Sequence, residues 1–284
     1  MIDSFQILNG KRGLIFGAFN ECSLGWHVAL RCKQSGADVV LSNTITALRL
    51  GSLKEMAAKE DFPIVTCDLT NITEIGSMLE QVQHILGGKI DFILHAVALS
   101  QNLRRHRNYE NANYDYYMQT LDVSAISLHK LLQVCMKKDA LSEGASVVAL
   151  SYLASERYQF GYNDMADAKA LLESIARNWG GIYGQHKGVR VNCVSQSPTS
   201  THAEEQFSDV SYFHEYAEQM APLGRASAND CADLCVMLFS DLACKLTMQT
   251  VMSDGGFSKT ILSQTGIKHL FELKNKKDGE KYER

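Results

Sequence analysis

The stretch from Ser151 to Lys169 holds the residues best equipped for chemistry: Tyr152, Tyr162 and Lys169, with Met165 between the last two. Seven residues along a helix turn through ~700° and rise ~10.5 Å, so Tyr162 and Lys169 project from nearly one face, two turns apart. That separation suits a phenol beside a reacting carbonyl oxygen and an ammonium beside a cofactor ribose. A tyrosine with its reference pKa of about 10 is a neutral donor at pH 7. Met165 adds apolar wall on the same side. Spacing alone leaves a plainer alternative open, a tyrosine that starts a helix and an exposed lysine further along it.

Such a helix needs a scaffold, and the rest of the chain supplies one. Short apolar runs at 13–17, 37–41, 64–67, 90–95, 146–150, 189–193 and 250–253 alternate with helical patterns near 24–35, 46–59, 73–86, 114–138 and 162–184, with further helices to about 240. Parallel strands need crossovers, so this alternation predicts an α/β fold: a Rossmann-like, doubly wound, seven-stranded parallel sheet with helices on both faces. Ligands in such sheets sit beyond the carboxyl ends of the strands. Small and hydroxylated residues gather there: Gly17 to Gly25 after the first strand, residues 96–100 after the fourth, Ser151-Tyr152 after the fifth, and Ser195 to Thr199 after the sixth.

The first loop lacks the G-x-G-x-x-G pattern, since its glycines, Gly17 and Gly25, are eight positions apart. It still allows close backbone approach to a pyrophosphate, with Ser23 able to cap the following helix. The second strand ends Ser42-Asn43-Thr44, with no carboxylate for the adenosine ribose before Glu55, and Arg49 lies inside a helical pattern. Nothing there builds a 2′-phosphate site, so NADH is favoured by default.

Composition agrees with a folded α/β chain. Of 284 residues, 45% are hydrophobic and 21% charged, which excludes a disordered polar chain. The net charge of −4 argues against sequence-independent nucleic-acid binding. No apolar run reaches the ~20 residues of a membrane span, and the first residues lack a signal-peptide pattern, so a cytoplasmic location is expected. The eight scattered cysteines fit a reducing compartment, with Cys231 and Cys235 read as core residues on a helix rather than as a metal pair. Three prolines and no linker-like stretch predict one domain over residues 1–266, with a charged tail from 267 to 284.

The arrangement Ser151-Tyr152, Tyr162 and Lys169 resembles the enoyl-acyl carrier protein reductases of bacterial fatty-acid synthesis, a divergent branch of the short-chain dehydrogenase/reductases. Ordinary members of that superfamily place a tyrosine four residues before the lysine, where this chain has Met165. The resemblance runs from Leu8 to Phe257 and includes Gly17–Leu24, Cys67-Asp68-Leu69, His95-Ala96-Val97-Ala98 and Val189–Asn192. It implies NADH-dependent reduction of a trans-2-enoyl chain on acyl carrier protein, the last step of each elongation cycle, with NADPH as an alternative coenzyme and no metal. Hydride arrives at C3, and Tyr162 donates to the enolate oxygen; Tyr162 or solvent supplies the C2 proton. Tyr152, Tyr162 and Lys169 are then the catalytic set.

By the same resemblance Gly17, Ser23 and Leu24 hold the pyrophosphate side, Thr44 lies near the adenosine ribose, Asp68 and Leu69 flank the adenine, and Val97 lies along the cofactor. Lys169 binds the nicotinamide ribose, and Thr199, Ser200, Thr201, His202 and Ala203 line the carboxamide and phosphate side. Ser100, Tyr152, Tyr162 and Met165 meet the substrate, under a lid at about 196–220. A homotetramer is implied, with the long helices near 114–138 and 162–184 as contact faces. Two departures stand out: Ser197-Pro198 replaces the usual Gly-Pro, and Ser100 stands where alanine is more common. The basic segment Arg104, Arg105, His106 and Arg107 is a candidate rim for docking the acidic carrier protein. Two other readings remain: a carbonyl-reducing member of the superfamily, and a catalytically silent dinucleotide-binding regulator.

Overall fold

The computed structural model describes residues 6–199 and 210–269. Seven strands form one all-parallel sheet: β1 (Arg12–Phe16), β2 (Asp38–Asn43), β3 (Ile64–Thr66), β4 (Ile90–His95), β5 (Leu141–Ser151), β6 (Arg190–Gln196) and β7 (Thr250–Ser253). Their order is β3-β2-β1-β4-β5-β6-β7, so the chain reverses its direction of growth between β1 and β4. A crevice opens above the carboxyl edge at such a reversal.

Helices α1 (Leu24–Gln34), α2 (Ile45–Leu50), α3 (Leu53–Lys59), α4 (Ile72–Leu86), α5 (Gln101–Arg104), α6 (Tyr114–Leu121), α7 (Ser127–Lys137), α8 (Asp164–Lys187), α9 (Val210–Met220) and α10 (Ala228–Phe239) connect the strands. Two buried cores form, one on each face. Ile75 and Leu79 of α4, Leu128 and Leu132 of α7, and Leu172 and Trp179 of α8 cover one face. Trp26 and Val28 of α1, Leu53 of α3, and Cys231 and Cys235 of α10 cover the other. The interior strands are therefore buried on both sides, which is why they read as continuous apolar runs.

Three helical segments differ from expectation for local reasons. The helix expected over 46–59 is broken at Gly51-Ser52, where a Cβ on Gly51 would lie 2.6 Å from the Phe19 carbonyl oxygen. The one expected over 114–138 contains a π-helical stretch, Asp122–Ile126. There Ser124 Oγ accepts from Leu99 N–H at 3.0 Å, so the widened turn aims a hydroxyl at the loop after β4. Finally, α8 begins at Asp164, which leaves Tyr162 in the turn ahead of the helix. Asn163, at φ 48°, makes that turn.

Candidate active site

The carboxyl end of β5 places Ser151 and Tyr152 at the sheet edge, both buried. The turn ahead of α8 brings Tyr162 against Tyr152, with ring centroids 5.0 Å apart and planes at 47°. This contact, rather than two turns of regular helix, fixes Tyr162. Met165 lies behind it in a small apolar cluster with Leu103 and Ala168, against which Tyr162 packs. Lys169, on α8, is 6% exposed, and its Nζ donates to the Leu150 carbonyl at 2.8 Å. An ammonium has three N–H donors, so this bond occupies one of them.

Burial pushes the Lys169 amine down to about 8, because the charged form loses hydration; Cys193 and Glu173 oppose the shift. Glu173, one turn further along α8, is itself buried and accepts hydrogen bonds from Ser151 Oγ and from Ser155 Oγ, the latter at 2.7 Å. Behind the site, burial holds His95 down at about 3, with the positive charge of Lys169 adding to the effect. Its Nε2 lies 2.8 Å from Ser127 Oγ, whose own proton goes to the Val123 carbonyl at 2.6 Å. His95 is therefore a neutral imidazole that donates from Nε2.

A cavity of about 690 Å³ lies over β1 to β3 at the same edge of the sheet. Thr44, Asp68, Leu69 and Val97 line it, together with Phe16 and, from the far wall, Met118 and Asp122. The volume is in the range of cofactor sites. Thr44 Oγ1 accepts from Ala47 N–H at 3.2 Å and caps α2. Asp68 Oδ1 accepts from Thr70 N–H and its hydroxyl at 2.9 and 2.7 Å, closing the loop after β3. Lys130 pins that loop from α7 by donating to the Thr70 carbonyl at 2.9 Å and to Asp122 at 2.6 Å.

Gly17 and Leu24 flank the loop after β1, and Ser23 stands at the helix start with its hydroxyl turned the other way from the capping role expected of it. Ser23 Oγ accepts from Phe19 N–H at 3.0 Å and donates to the Asn20 carbonyl at 2.6 Å, so it folds the loop back on itself. Gly17 has φ 88°, and a Cβ there would lie 2.0 Å from the Ala96 carbonyl oxygen at the end of β4. Thr199 lies past β6, where its hydroxyl donates to the Ser197 carbonyl at 2.9 Å. Ser197 Oγ accepts from Ala226 N–H at 3.1 Å, so the serine of Ser197-Pro198 ties this loop to the segment before α10. Ser200, Thr201, His202, Ala203 and the middle of the lid segment lie outside the described residues, as does most of the charged tail.

Ser100 is 3% exposed and faces inward. Its hydroxyl accepts from Leu103 N–H at 3.1 Å and donates to Asp164 Oδ1 at 2.7 Å. Sequence reasoning missed Asp164, whose partners lie 44 to 64 positions away and leave no local pattern. It also missed Glu173, although four positions after Lys169 on a helix is a legible spacing.

Among the described residues, no group of three or more His, Cys, Asp or Glu is arranged to hold a metal, and no helix is long and apolar enough to cross a membrane.

The family model described as enoyl-(acyl carrier protein) reductase matches residues 17–258. The enoyl-[acyl-carrier-protein] reductase [NADH] 1 of Rhizobium meliloti is 31% identical over 261 residues, 90% of this chain and 93% of that protein. The solved FabI-NADH complex from Alistipes finegoldii superposes with a TM-score of 0.91 at 49% identity, covering 92% of this chain and 93% of that one. The Bacillus cereus enoyl-acyl carrier protein reductase, solved with NADP+ and indole naphthyridinone, gives 0.84 at 28% identity over 90% of this chain and 99% of that one. A sheet reversed at β1 and β4, a packed tyrosine pair ahead of a buried lysine, and a match spanning most of the sequence agree: the chain belongs to the enoyl-acyl carrier protein reductase family.

Proposed function

We propose that the protein reduces trans-2-enoyl chains carried on acyl carrier protein to the saturated acyl form with NADH, closing each elongation cycle of a cytoplasmic type II fatty-acid synthesis. The observation that carries the reading is the Tyr152–Tyr162 pair held against the helix of Lys169 at the carboxyl end of β5. Met165 occupies the position of the ordinary superfamily tyrosine and is apolar and buried, which disfavours the carbonyl-reducing alternative.

The residues present fit a dinucleotide. The 690 Å³ cavity over β1 to β3 suits the adenosine half, and the two remaining Lys169 donors suit the hydroxyls of the nicotinamide ribose. Gly17, Ser23 and Leu24 would flank the pyrophosphate, with Thr199 on the carboxamide side. Two of the relatives named above carry NADH in their names, and the third was solved with NADP+. The end of β2, without carboxylate or arginine, favours NADH while leaving room for NADPH. The bound dinucleotide supplies the hydride.

The chain's own residues do the rest. The Tyr162 phenol donates to the thioester oxygen as negative charge builds there, in a cleft whose buried walls keep the local dielectric low. Tyr152 fixes the ring of Tyr162 by packing against it at a tilt, and Met165 excludes water beside it. Lys169 positions the ribose and keeps the potential positive. The exposed Arg105, His106 and Arg107 after β4 form a basic rim for the acidic carrier protein. Assembly as a homotetramer through the faces of α7 and α8 belongs to the same reading.

The test follows NADH absorbance with crotonyl or 2-decenoyl thioester, with NADPH in parallel. Substrate-dependent NADH loss is expected. Tyr162→Phe should lower kcat about a hundredfold, as loss of one oxyanion donor does, while the Kd for NADH stays within about twofold. Equal loss of both would remove the role given to Tyr162.

A further inference from the structure

Asp164 is fully buried at the first position of α8, between the turn that carries Tyr162 and the helix that carries Lys169. Three side chains converge on its carboxylate. Ser100 Oγ donates to Oδ1 at 2.7 Å and Asn102 Nδ2 to Oδ2 at 2.8 Å, while Thr120 Oγ1, 2.9 Å from Oδ2, shares its one proton with the Tyr116 carbonyl at 2.9 Å. All three are themselves buried, and they come from the loop after β4, from α5 and from α6. A carboxylate out of water is tolerated only when its lone pairs are met in this way.

The network continues into the wall around Tyr162. Ser100 also caps α5, whose Leu103 packs with Met165 in the cluster that supports Tyr162. Asn102 is fixed in orientation, since its Oδ1 accepts from Asn113 N–H at 2.9 Å and its Nδ2 donates to the Asn113 carbonyl at 3.2 Å. The turn itself is clamped from the same side, because the Asn163 amide donates to the Arg107 carbonyl. Asn163 holds φ 48°, a conformation that needs surrounding contacts to persist. The segment from 100 to 120 thus grips residues 163 and 164, one and two positions past the tyrosine.

We propose that Asp164, with Ser100, Asn102 and Thr120, is a positioning residue that fixes the Tyr162 phenol for catalysis, and that Ser100 serves this network rather than touching the acyl chain. The inference rests on the enoyl reductase reading. It gives a physical reason for the serine at position 100, whose hydroxyl is needed as a donor to a buried carboxylate. A hydroxyl displaced by about 1 Å loses much of its catalytic effect, so an anchor two residues away acts on kcat rather than on dinucleotide affinity.

The experiment is a double-mutant cycle between Asp164→Ala and Tyr162→Phe, read as kcat for crotonyl thioester, with Kd for NADH measured by fluorescence. In the native background Asp164→Ala should lower kcat about tenfold or more and leave the NADH Kd within about twofold. In the Tyr162→Phe background it should change kcat by less than about twofold, because the group it positions is gone. Asp164→Asn should restore most of the rate: its amide oxygen can face Asn102 and Thr120, and its nitrogen can face the Ser100 hydroxyl, which is able to accept.

A kcat unchanged by Asp164→Ala, or lowered by equal factors in both backgrounds, overturns the inference and leaves the enoyl reductase reading intact. No turnover by the unaltered chain, or full turnover by Tyr162→Phe, overturns the inference together with the reading it rests on. Should Asp164→Ala fail to fold, Ser100→Ala and Thr120→Val each remove one donor. They are expected to lower kcat about threefold in the native background and not at all in Tyr162→Phe.

Discussion

Lys169 shows how burial can set the acid–base behaviour of one residue. Its amine is pushed down to about 8 because desolvation penalises the ammonium. The unfolded chain therefore holds a proton that the folded chain has released between pH 8 and about 10.5, and this residue's contribution to stability rises with pH across that window. Under the proposed role activity has the opposite sign, since the ammonium would donate to ribose hydroxyls more strongly than the neutral amine. We expect kcat/KM for NADH to fall above pH about 8, a limb that Lys169→Met abolishes along with most of the affinity. The kcat profile should break at higher pH, because the negative pyrophosphate of the bound dinucleotide favours the ammonium. Matching profiles for the two parameters would count against a titrating Lys169.

At the scale of elements, β1 and β4 meet where the crevice opens, and Gly17 is what lets them meet. With φ 88° and a Cβ position 2.0 Å from the Ala96 carbonyl oxygen, no other residue fits without moving the end of a strand. Gly17→Ala should cost about 1–3 kcal/mol, lowering Tm by about 2–4 °C per kcal/mol for a chain near this size. It should also weaken NADH binding, as measured by thermal unfolding and fluorescence titration. Period and strand spacing predicted all seven strands because short apolar runs bounded by turn residues recur in alternation with helical patterns. Glycine content in the first loop was visible too, but the contact that demands glycine was not, since its partner, Ala96, follows a different strand, β4.

Other parts of the site divide in the same way. Tyr152, Tyr162, Met165 and Lys169 lie within eighteen residues of one another, so spacing exposes them. Yet the helix starts two residues later than periodicity suggests, because Asn163 turns the chain at positive φ. The widened turn at Asp122–Ile126 has no sequence signature, as it answers to a hydroxyl contact with Leu99. The Asp164 network joins residues brought together only by the packing of α5 and α6 on α8.

Over the whole molecule, charge is distributed unevenly. The chain carries a net charge of −4, yet Arg104, Arg105, His106 and Arg107 follow one another beside the site. Arg105 lies 5.1 Å from the Tyr116 ring centroid, and Arg107 donates to the Asn111 carbonyl at 3.4 Å, so the segment is held in place on the surface. Reversing the three arginines to glutamate should raise KM for an acyl carrier protein substrate several-fold, most strongly at low salt. The same acyl group on coenzyme A should be spared. An unchanged ratio between the two substrates, measured at two ionic strengths, would remove the docking role.

The two-faced burial of the sheet also sets a timetable for synthesis. One face is closed by α4, α7 and α8, so it stays open until Lys187 has emerged; the other needs α10 and waits for Phe239. A nascent chain that already carries β1 to β6 therefore still exposes the apolar side of its central strands. Residues of α10, which follow the last interior strand, thus govern how long that face stays open to chaperones.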